Sequence, residues 1–274
     1  MQWSWGILIA VLLLATAVNC TRSPTQCAGM DGGCDTLAAY VFYVYRPPVC
    51  NVERGSMLFC YQFSGSALDA GPAGHNGTLI GTLDFQSGID GAPSSSYRIA
   101  PGDVSSYMFI PDSAITGLGD FTLAFWARIE NTGGQRHNFV NVSNTTSTSG
   151  EVLGMTYQSD LGRLKADLDP VLERITFNTT TPADQAWHHY AYSRENTILR
   201  LYFDGAFVAE VDAVATVLTS GPGNGAVLGQ EADSCCAAGT FDGTQNMAGT
   251  IDNLVLYNQA LGAYTIRSAL HFAR

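Results

Sequence analysis

The amino-acid sequence predicts an all-β protein built as an antiparallel sandwich or barrel. From Leu58 onward, short runs of aromatic and β-branched residues alternate with clusters of Gly, Asn, Asp, Ser and Pro, which is typical of many short strands joined by turns. The segment TILRLYFDGAFVAEVD also predicts a hairpin, because its two alternating runs meet at Asp204 and Gly205, a dipeptide suited to the positive φ of a tight turn. Only ALGAYTIRSALHF, near the C-terminus, predicts a helix, and a short one.

The strand predictions follow the chain in order and rest on side-chain type and alternation. The predicted strands are LFCYQF (58–63), TLIGTLDF (78–85), SYMFIP (106–111), FTLAFWARIE (121–130), NFVNV (138–142), VLGMTY (152–157), RITFN (174–178), WHHYAYSR (187–194) and TILRLYFD (197–204).

The N-terminus predicts a secreted protein. Residues 1–20 contain an apolar core from Ile7 to Leu14 followed by small residues, the pattern of a cleaved signal peptide, and this apolar run is too short for a membrane anchor. Residues 21–57 form a short extension that bears cysteines, and residues 58–274 form the β domain. Cleavage after Ala17 or after Cys20 fits the small-residue rule equally well.

The charge balance argues against a nucleic-acid partner. The chain has 24 acidic and 13 basic residues and a net charge of −11, whereas binding to a phosphate backbone requires Lys and Arg in excess. Acceptor sequences for N-glycosylation agree with secretion and occur at Asn76, Asn141, Asn144 and Asn178.

The cysteines predict a disulfide framework whose pairing stays open. Loss of Cys20 with the signal peptide leaves six, which allow fifteen pairings; they are Cys27, Cys34, Cys50, Cys60, Cys235 and Cys236. Bonds from Cys235 and Cys236 to the N-terminal extension are the simpler arrangement, and a strained bond between these two neighbours is the alternative.

Three segments together resemble a known superfamily. GDFTLAFWARIE, AWHHYAYSRENTILRLYFDGAFVAEV and MAGTIDNLVLYNQALGAYTI stand in the order of the laminin-G-like jelly roll of the concanavalin A-like superfamily, and FSGSALDAGPAGHNGTL resembles its opening segment. The resemblance covers about residues 58–270 and implies a two-sheet antiparallel jelly-roll sandwich.

Within that superfamily, residues 228–261 are most similar to the pentraxin segment that binds calcium. The resemblance implies side-chain ligands at Glu231, Asp233, Asp242 and Gln245, and calcium accepts such mixed oxygen donors. Positions 149 and 150, where pentraxins supply two more ligands, hold Ser and Gly. One ion is therefore expected rather than two, with a dissociation constant of about 10⁻⁴ to 10⁻³ M.

Other candidate residues receive structural interpretations. Asp69 lies in a Gly-rich opening loop where related jelly rolls sometimes place a cation ligand, which makes it a weaker candidate for metal binding. His188 and His189 point to opposite faces of one strand and cannot easily share an ion. Asp252 is expected to accept hydrogen bonds at a strand turn, and Trp126 and Trp187 are expected to pack between the sheets.

The sequence does not predict an enzyme. The E-x-D-x-x-E trio of related glucanases begins at Glu231 and Asp233, but Cys236 occupies the second Glu position, so the acid and nucleophile pair is incomplete. The expected function is a secreted recognition module that binds a glycan, a phosphate-bearing ligand or a protein with the help of calcium. The first alternative is a structural glycoprotein of an extracellular or mineralised matrix, and the second is a cryptic glycosidase that depends on Glu231. The oligomeric state stays open.

Overall fold

A computed structural model describes residues 48–82, 84–130, 136–143, 151–168, 171–212, 218, 225–231 and 241–271. Residues Arg46–Arg274 form one compact unit. The predicted signal peptide and most of the cysteine-bearing extension lie outside the described residues. Within the described part, no helix has both the length and the apolar character needed to cross a membrane.

Fifteen strands in the described residues form two antiparallel sheets. The eight-stranded sheet has the order β13-β12-β11-β6-β15-β4-β3, with β1 also paired to β15, and the seven-stranded sheet has the order β10-β9-β8-β7-β14-β5-β2. The strands are β1 (Met57–Tyr61), β2 (Thr78–Ile80), β3 (Asp84–Gln86), β4 (Ser96–Ile99), β5 (Tyr107–Ile110), β6 (Phe121–Ile129), β7 (Arg136–Ser143), β8 (Glu151–Gln158), β9 (Arg163–Leu168), β10 (Val171–Asn178), β11 (Trp187–Glu195), β12 (Ile198–Phe203), β13 (Ala206–Asp212), β14 (Ala226–Leu228) and β15 (Gly249–Tyr257).

The two sheets pack face to face through a core of aromatic and aliphatic side chains, which confirms the predicted all-β sandwich. Phe125 of β6 and Tyr190 of β11 meet Phe139 of β7 across the interface, with ring centroids 5.2 and 4.8 Å apart. All three side chains are fully buried. Apolar residues at every second position of β6, β8, β9 and β11 supply this core, because alternate side chains of a strand point to the same face.

The predicted hairpin is present, as β12 and β13 pair directly. Asp204 and Gly205 join them with φ values of 49° and 72°. Both residues adopt the positive φ that a type I′ turn requires, which is why the Asp-Gly dipeptide marks the turn in the sequence.

A second apolar layer covers the outer face of the eight-stranded sheet. Three-residue helical turns at Val49–Asn51 and Arg54–Ser56 precede β1, and a short helix α1 (Ala263–Thr265) runs on into a π-helical turn at Ile266–Leu270. Side chains of both segments are buried together against the sheet, including Val49, Val52, Ile266 and Leu270. The predicted C-terminal helix is therefore confirmed, and the end of the N-terminal extension packs with the β domain.

One disulfide links this layer to the sheet. Cys50 and Cys60 are bonded to each other, with Cα atoms 5.6 Å apart. The bond ties the turn before β1 to β1 itself and uses two of the six cysteines that the sequence predicted to pair. Cys27, Cys34, Cys235 and Cys236 lie outside the described residues.

Candidate binding face and loop

The outer face of the seven-stranded sheet is polar. On β8 and β9, the residues that alternate with the core point away from it, and register aligns most of them with residues of β7 and β10 in two rows. Asp167 lies beyond these rows, opposite Gly154. We call this surface the polar face; its members are Arg136, Asn138, Thr156, Gln158, Arg163, Lys165, Asp167, Thr176 and Asn178.

The centre of the polar face is buried and internally bonded. Thr156 Oγ1 donates to Asn138 Oδ1 at 2.6 Å, and Lys165 Nζ lies 3.0 Å from Asp167 Oδ2 with both side chains largely buried. Lys165 is the single lysine of the chain. A buried charge is tolerated only when it is paired, so this ion pair fixes a charged centre within the face.

Two guanidinium groups flank the buried amide of Gln158 in one row. Register pairs Arg136 of β7 and Arg163 of β9 with Gln158 of β8, one on each side. Arg163 Nε donates to Gln158 Oε1, while the Arg136 side chain is exposed and that of Arg163 is half-buried. Arginine is well suited to planar, two-point recognition of carboxylate, sulfate or phosphate groups.

The loop that carries the predicted calcium ligands borders this face. Asp242 Oδ1 accepts hydrogen bonds from Thr244 N and Thr244 Oγ1, both at 2.8 Å, and Gln245 Nε2 donates to Asp242 Oδ2 at 3.2 Å. Asn138 Nδ2 donates to Gln245 O at 2.7 Å, and Arg136 Nη1 donates to Gln245 Oε1 at 3.3 Å. The backbone N–H of Thr244 is the first cause that holds the pKa of Asp242 below its usual range, so this exposed carboxylate is charged at neutral pH.

The structure therefore brings two of the four predicted calcium ligands together. Asp242 and Gln245 are in direct contact, Glu231 directly follows the turn after β14, and Asp233 lies outside the described residues. Calcium needs six to eight oxygens, and the described residues contain no group of three or more His, Cys, Asp or Glu side chains placed for a metal. The positive charge of the adjacent Arg136 repels a cation and weakens its binding. Asp242 and Gln245 supply some of the oxygen ligands that calcium requires, and calcium binding stays a prediction.

Asp69 accepts hydrogen bonds from backbone N–H groups, and its predicted role as a cation ligand stays a prediction. Its Oδ1 accepts from the backbone N–H of Cys60 at 2.8 Å and of Gly71 at 2.7 Å, and its Oδ2 accepts from His75 N at 2.8 Å. Three N–H groups that converge on one carboxylate shape the loop between β1 and β2. The contacts of Asp69 explain its presence without a cation.

The predicted glycosylation sites differ in access. Asn76 and Asn178 are exposed, and Asn144 lies outside the described residues. Asn141 is fully buried, and its Nδ2 donates to a main-chain carbonyl oxygen at 2.9 Å. A glycan on that nitrogen has no path to solvent, so the prediction is wrong for Asn141 in the folded protein.

The adjacent histidines lie on opposite faces of β11, as predicted, and both are buried. His188 Nδ1 contacts Asp204 Oδ2 at 2.8 Å and its Nε2 contacts Asp184 Oδ1 at 3.0 Å. Burial lowers the pKa of His188, but the two carboxylates outweigh burial and raise it above the ordinary value. His189 is enclosed, and burial lowers its pKa to about 3.

Trp126 is buried on the outer face of the eight-stranded sheet, so its predicted position between the sheets is wrong. Its ring stacks on His271 at 5.1 Å and lies 5.3 Å from His189. The neighbouring Phe125 takes the inward position instead. The aromatic run of β6 did not reveal which of its members faces inward.

The sequence analysis missed the polar face. Its local signal is the alternation of Thr156 and Gln158 with Met155 and Tyr157, together with the charged positions of RLKADL in β9. These residues form one surface only when register aligns the strands, and that alignment involves residues far apart in the chain.

The chain belongs to the concanavalin A-like lectin/glucanase superfamily. A laminin-G model of that superfamily matches residues 102–267, and the two-sheet fold is consistent with its jelly roll. Comparison with curated proteins gave no match. The closer similarity of residues 228–261 to pentraxins stays a prediction.

Solved structures with this fold include ligand-binding domains. The binding domain of Paraclostridial Mosquitocidal Protein 1 is 15% identical with a TM-score of 0.58, over 80% of this chain and 52% of that one. The binding domain of botulinum neurotoxin DC, in complex with rat synaptotagmin II, is 11% identical with a TM-score of 0.58, over 80% and 51%. Domain 4 of AbnA, an extracellular arabinanase from Geobacillus stearothermophilus in complex with arabinotriose, is 17% identical with a TM-score of 0.54, over 78% and 98%. The chain spans about half the length of these toxin domains, and identities this low indicate a shared fold alone.

Proposed function

We propose that this protein is a secreted recognition module that binds a glycan bearing an acidic group at the polar face. The observation that carries the proposal is the row in which Arg136 and Arg163 flank Gln158. In a chain with a net charge of −11, two accessible guanidinium groups on one row form an uncommon cationic surface. Carboxylate or sulfate groups can accept from their N–H groups, while Thr176 offers an exposed hydroxyl group to sugar hydroxyls.

Calcium is proposed to assist at the edge of this face. Asp242 and Gln245, with Glu231 and Asp233, would hold one ion, which supplies open coordination positions for hydroxyl or acidic oxygens. Recognition without catalysis is part of the proposal, and the incomplete carboxylate trio at Glu231 and Asp233 supports it. Binding domains of carbohydrate and protein ligands on the same fold also support a recognition role.

The test is a glycan array followed by calorimetry on the strongest acidic ligand. Arg163→Ala is expected to weaken binding by at least about tenfold, because a charge-assisted hydrogen bond contributes about 1.5–3 kcal/mol. Arg267→Ala removes an exposed arginine of the C-terminal helical segment and serves as the matched control. Acidic ligands that bind Arg163→Ala and wild type equally would rule out the polar face.

Calcium binding is tested separately by calorimetric titration of the protein in the absence of any glycan ligand. Wild type is expected to bind with a dissociation constant of about 10⁻⁴ to 10⁻³ M, and Asp242→Ala and Asp233→Ala are each expected to abolish the signal. Absence of any heat in wild type at millimolar calcium rejects calcium assistance and leaves the glycan proposal to its own test.

A further inference from the structure

A groove lies on the side of the sandwich opposite the polar face, on the outer face of the eight-stranded sheet. It has a volume of about 350 Å³, which falls within the range of about 300–1,000 Å³ of small-molecule sites. Its floor consists of outward side chains of β12 and β13, and its wall is the segment at residues 260–263 that leads into α1. The lining residues used below are Glu195, Arg200, Tyr202, Phe207 and Leu261.

The groove is held in shape by contacts beneath it. Thr122 is buried on β6; its Oγ1 donates to Gln259 O at 3.0 Å and accepts from Leu261 N at 2.8 Å. These bonds fix the wall segment against the sheet. Tyr202 is buried in the floor and sets the position of Phe207 through an edge-to-face contact with centroids 5.9 Å apart.

Phe207 offers a large apolar surface to solvent. It is 51% exposed, and Tyr264, which follows the wall segment directly, is 43% exposed. These two rings are among only four large apolar side chains exposed in the described residues. Phe207 lines the groove, so a ligand bound there can cover part of this exposed ring.

The polar groups of the groove provide both donors and acceptors. Arg200 Nη1 donates to Glu195 Oε2 at 2.9 Å, and Arg200 Nε lies 3.4 Å from Glu210 Oε2. A guanidinium has five N–H donors, so these contacts orient Arg200 and leave others for a ligand. Glu195 lines the groove with more than half of its side-chain surface exposed and is available as an acceptor. Glu210, outside the lining, orients Arg200 from the neighbouring strand.

The charges of the groove select against anions. One guanidinium stands between two carboxylates, so the local charge is negative, and an acidic ligand is repelled. A neutral sugar has an apolar C–H face that can pack on an aromatic ring and hydroxyls that can both donate and accept. We propose that this groove binds a neutral saccharide, with Phe207 as the stacking platform and Arg200 and Glu195 as partners of its hydroxyls.

The test uses a printed array with neutral oligosaccharides that end in mannose, galactose, glucose or N-acetylglucosamine, beside sialylated and sulfated ones. Phe207→Ala and Arg200→Gln are each expected to weaken neutral-glycan binding by at least about tenfold. Leu68→Ala, which shortens a side chain that is 64% exposed in the loop between β1 and β2 and does not line the groove, is the matched control and should bind like wild type.

Arg163→Ala distinguishes binding at the polar face from binding in the groove. It is expected to lose acidic ligands and to keep neutral ones, whereas Phe207→Ala is expected to do the reverse. An array on which only acidic glycans bind, in an Arg163-dependent way, overturns the groove and leaves the polar face standing. Neutral binding that survives both Phe207→Ala and Arg200→Gln, or no neutral binding at all, also overturns it.

Discussion

We predict that Asp252 makes the stability of this protein sensitive to pH near neutrality. Its carboxylate is 3% exposed within β15, and its Oδ2 accepts from Ile89 N at 3.0 Å, which confirms the predicted acceptor role. Burial is the first cause that raises the pKa of Asp252 to about 7, and the nearby Asp90 adds to the rise, although backbone N–H groups oppose it. The folded protein therefore holds a proton that the unfolded chain releases between about pH 4 and pH 7.

The size of the effect follows from the shift. The pKa rises from 3.8 to about 7, a change of about three units, and each unit corresponds to about 1.4 kcal/mol. Because the folded state binds more protons than the unfolded state in this window, the free energy of unfolding decreases as pH rises through it. The decrease amounts to about 4 kcal/mol and is complete above the folded pKa.

Asp252→Asn isolates this contribution. The amide can still accept from Ile89 N but cannot titrate, so its packing and hydrogen-bonding costs are the same at every pH. We expect the difference in unfolding free energy between Asp252→Asn and wild type to move by about 4 kcal/mol in favour of the variant from pH 4 to pH 8.

The assay is urea unfolding followed by tryptophan fluorescence at several pH values between 4 and 8. Asp160→Asn removes an exposed carboxylate and is the control for the loss of one surface charge. A difference between Asp252→Asn and wild type that stays constant across this range refutes the argument that burial holds a proton on Asp252.

Three further changes test other parts of the structure. His188→Gln is expected to remove stabilisation that is fully present below about pH 6.5 and is lost as pH rises through the raised pKa of His188; unfolding of wild type and variant from pH 5 to 9 measures it, and parallel curves contradict it. Phe125→Ala removes the ring that packs on Phe139 and should lower the free energy of unfolding by about 3–5 kcal/mol in chemical denaturation. A decrease below about 1 kcal/mol contradicts the packing described. The paired change Cys50→Ser and Cys60→Ser opens a short loop and should lower the unfolding free energy by about 3 kcal/mol, while an unchanged value means that this bond does not constrain the unfolded chain.

The sequence was a good guide to strands whose side chains are mostly aromatic or β-branched, and a poor guide elsewhere. It predicted β6 and β11 because both are rich in such residues, and it predicted the Asp204–Gly205 turn. It missed β9, because RLKADL contains Leu, Lys and Ala, which also favour helices. That segment forms a strand because Leu164, Ala166 and Leu168 alternate toward the core, and packing outweighs local propensity.

The candidate site was predictable only where its members are close in sequence. Asp242 and Gln245 are three residues apart, and the structure brings them into contact. Arg136 and Arg163 flank Gln158 only after three strands have paired in register. Pairing of this kind depends on turn geometry and on which face is buried, and a single sequence does not state either one locally.

The Cys50–Cys60 bond also reduces the number of disulfide pairings that are open to the adjacent residues Cys235 and Cys236. With that bond formed, the fifteen pairings of six cysteines fall to three. Two of the three join Cys235 and Cys236 to Cys27 and Cys34, and the third requires a bond between adjacent residues, whose Cβ vectors rarely converge.

We therefore expect the stapled arrangement, and a non-reducing tryptic map decides it. Trypsin does not cut before Pro47, so peptide 23–54 carries Cys27, Cys34 and Cys50, peptide 55–98 carries Cys60, and peptide 201–267 carries Cys235 and Cys236. The staple predicts that all three peptides migrate as one disulfide-linked species and separate on reduction. Release of an oxidised peptide 201–267 by itself means that the adjacent cysteines are bonded to each other, and the loop that borders the polar face is then closed on itself instead of being tied to the N-terminal extension.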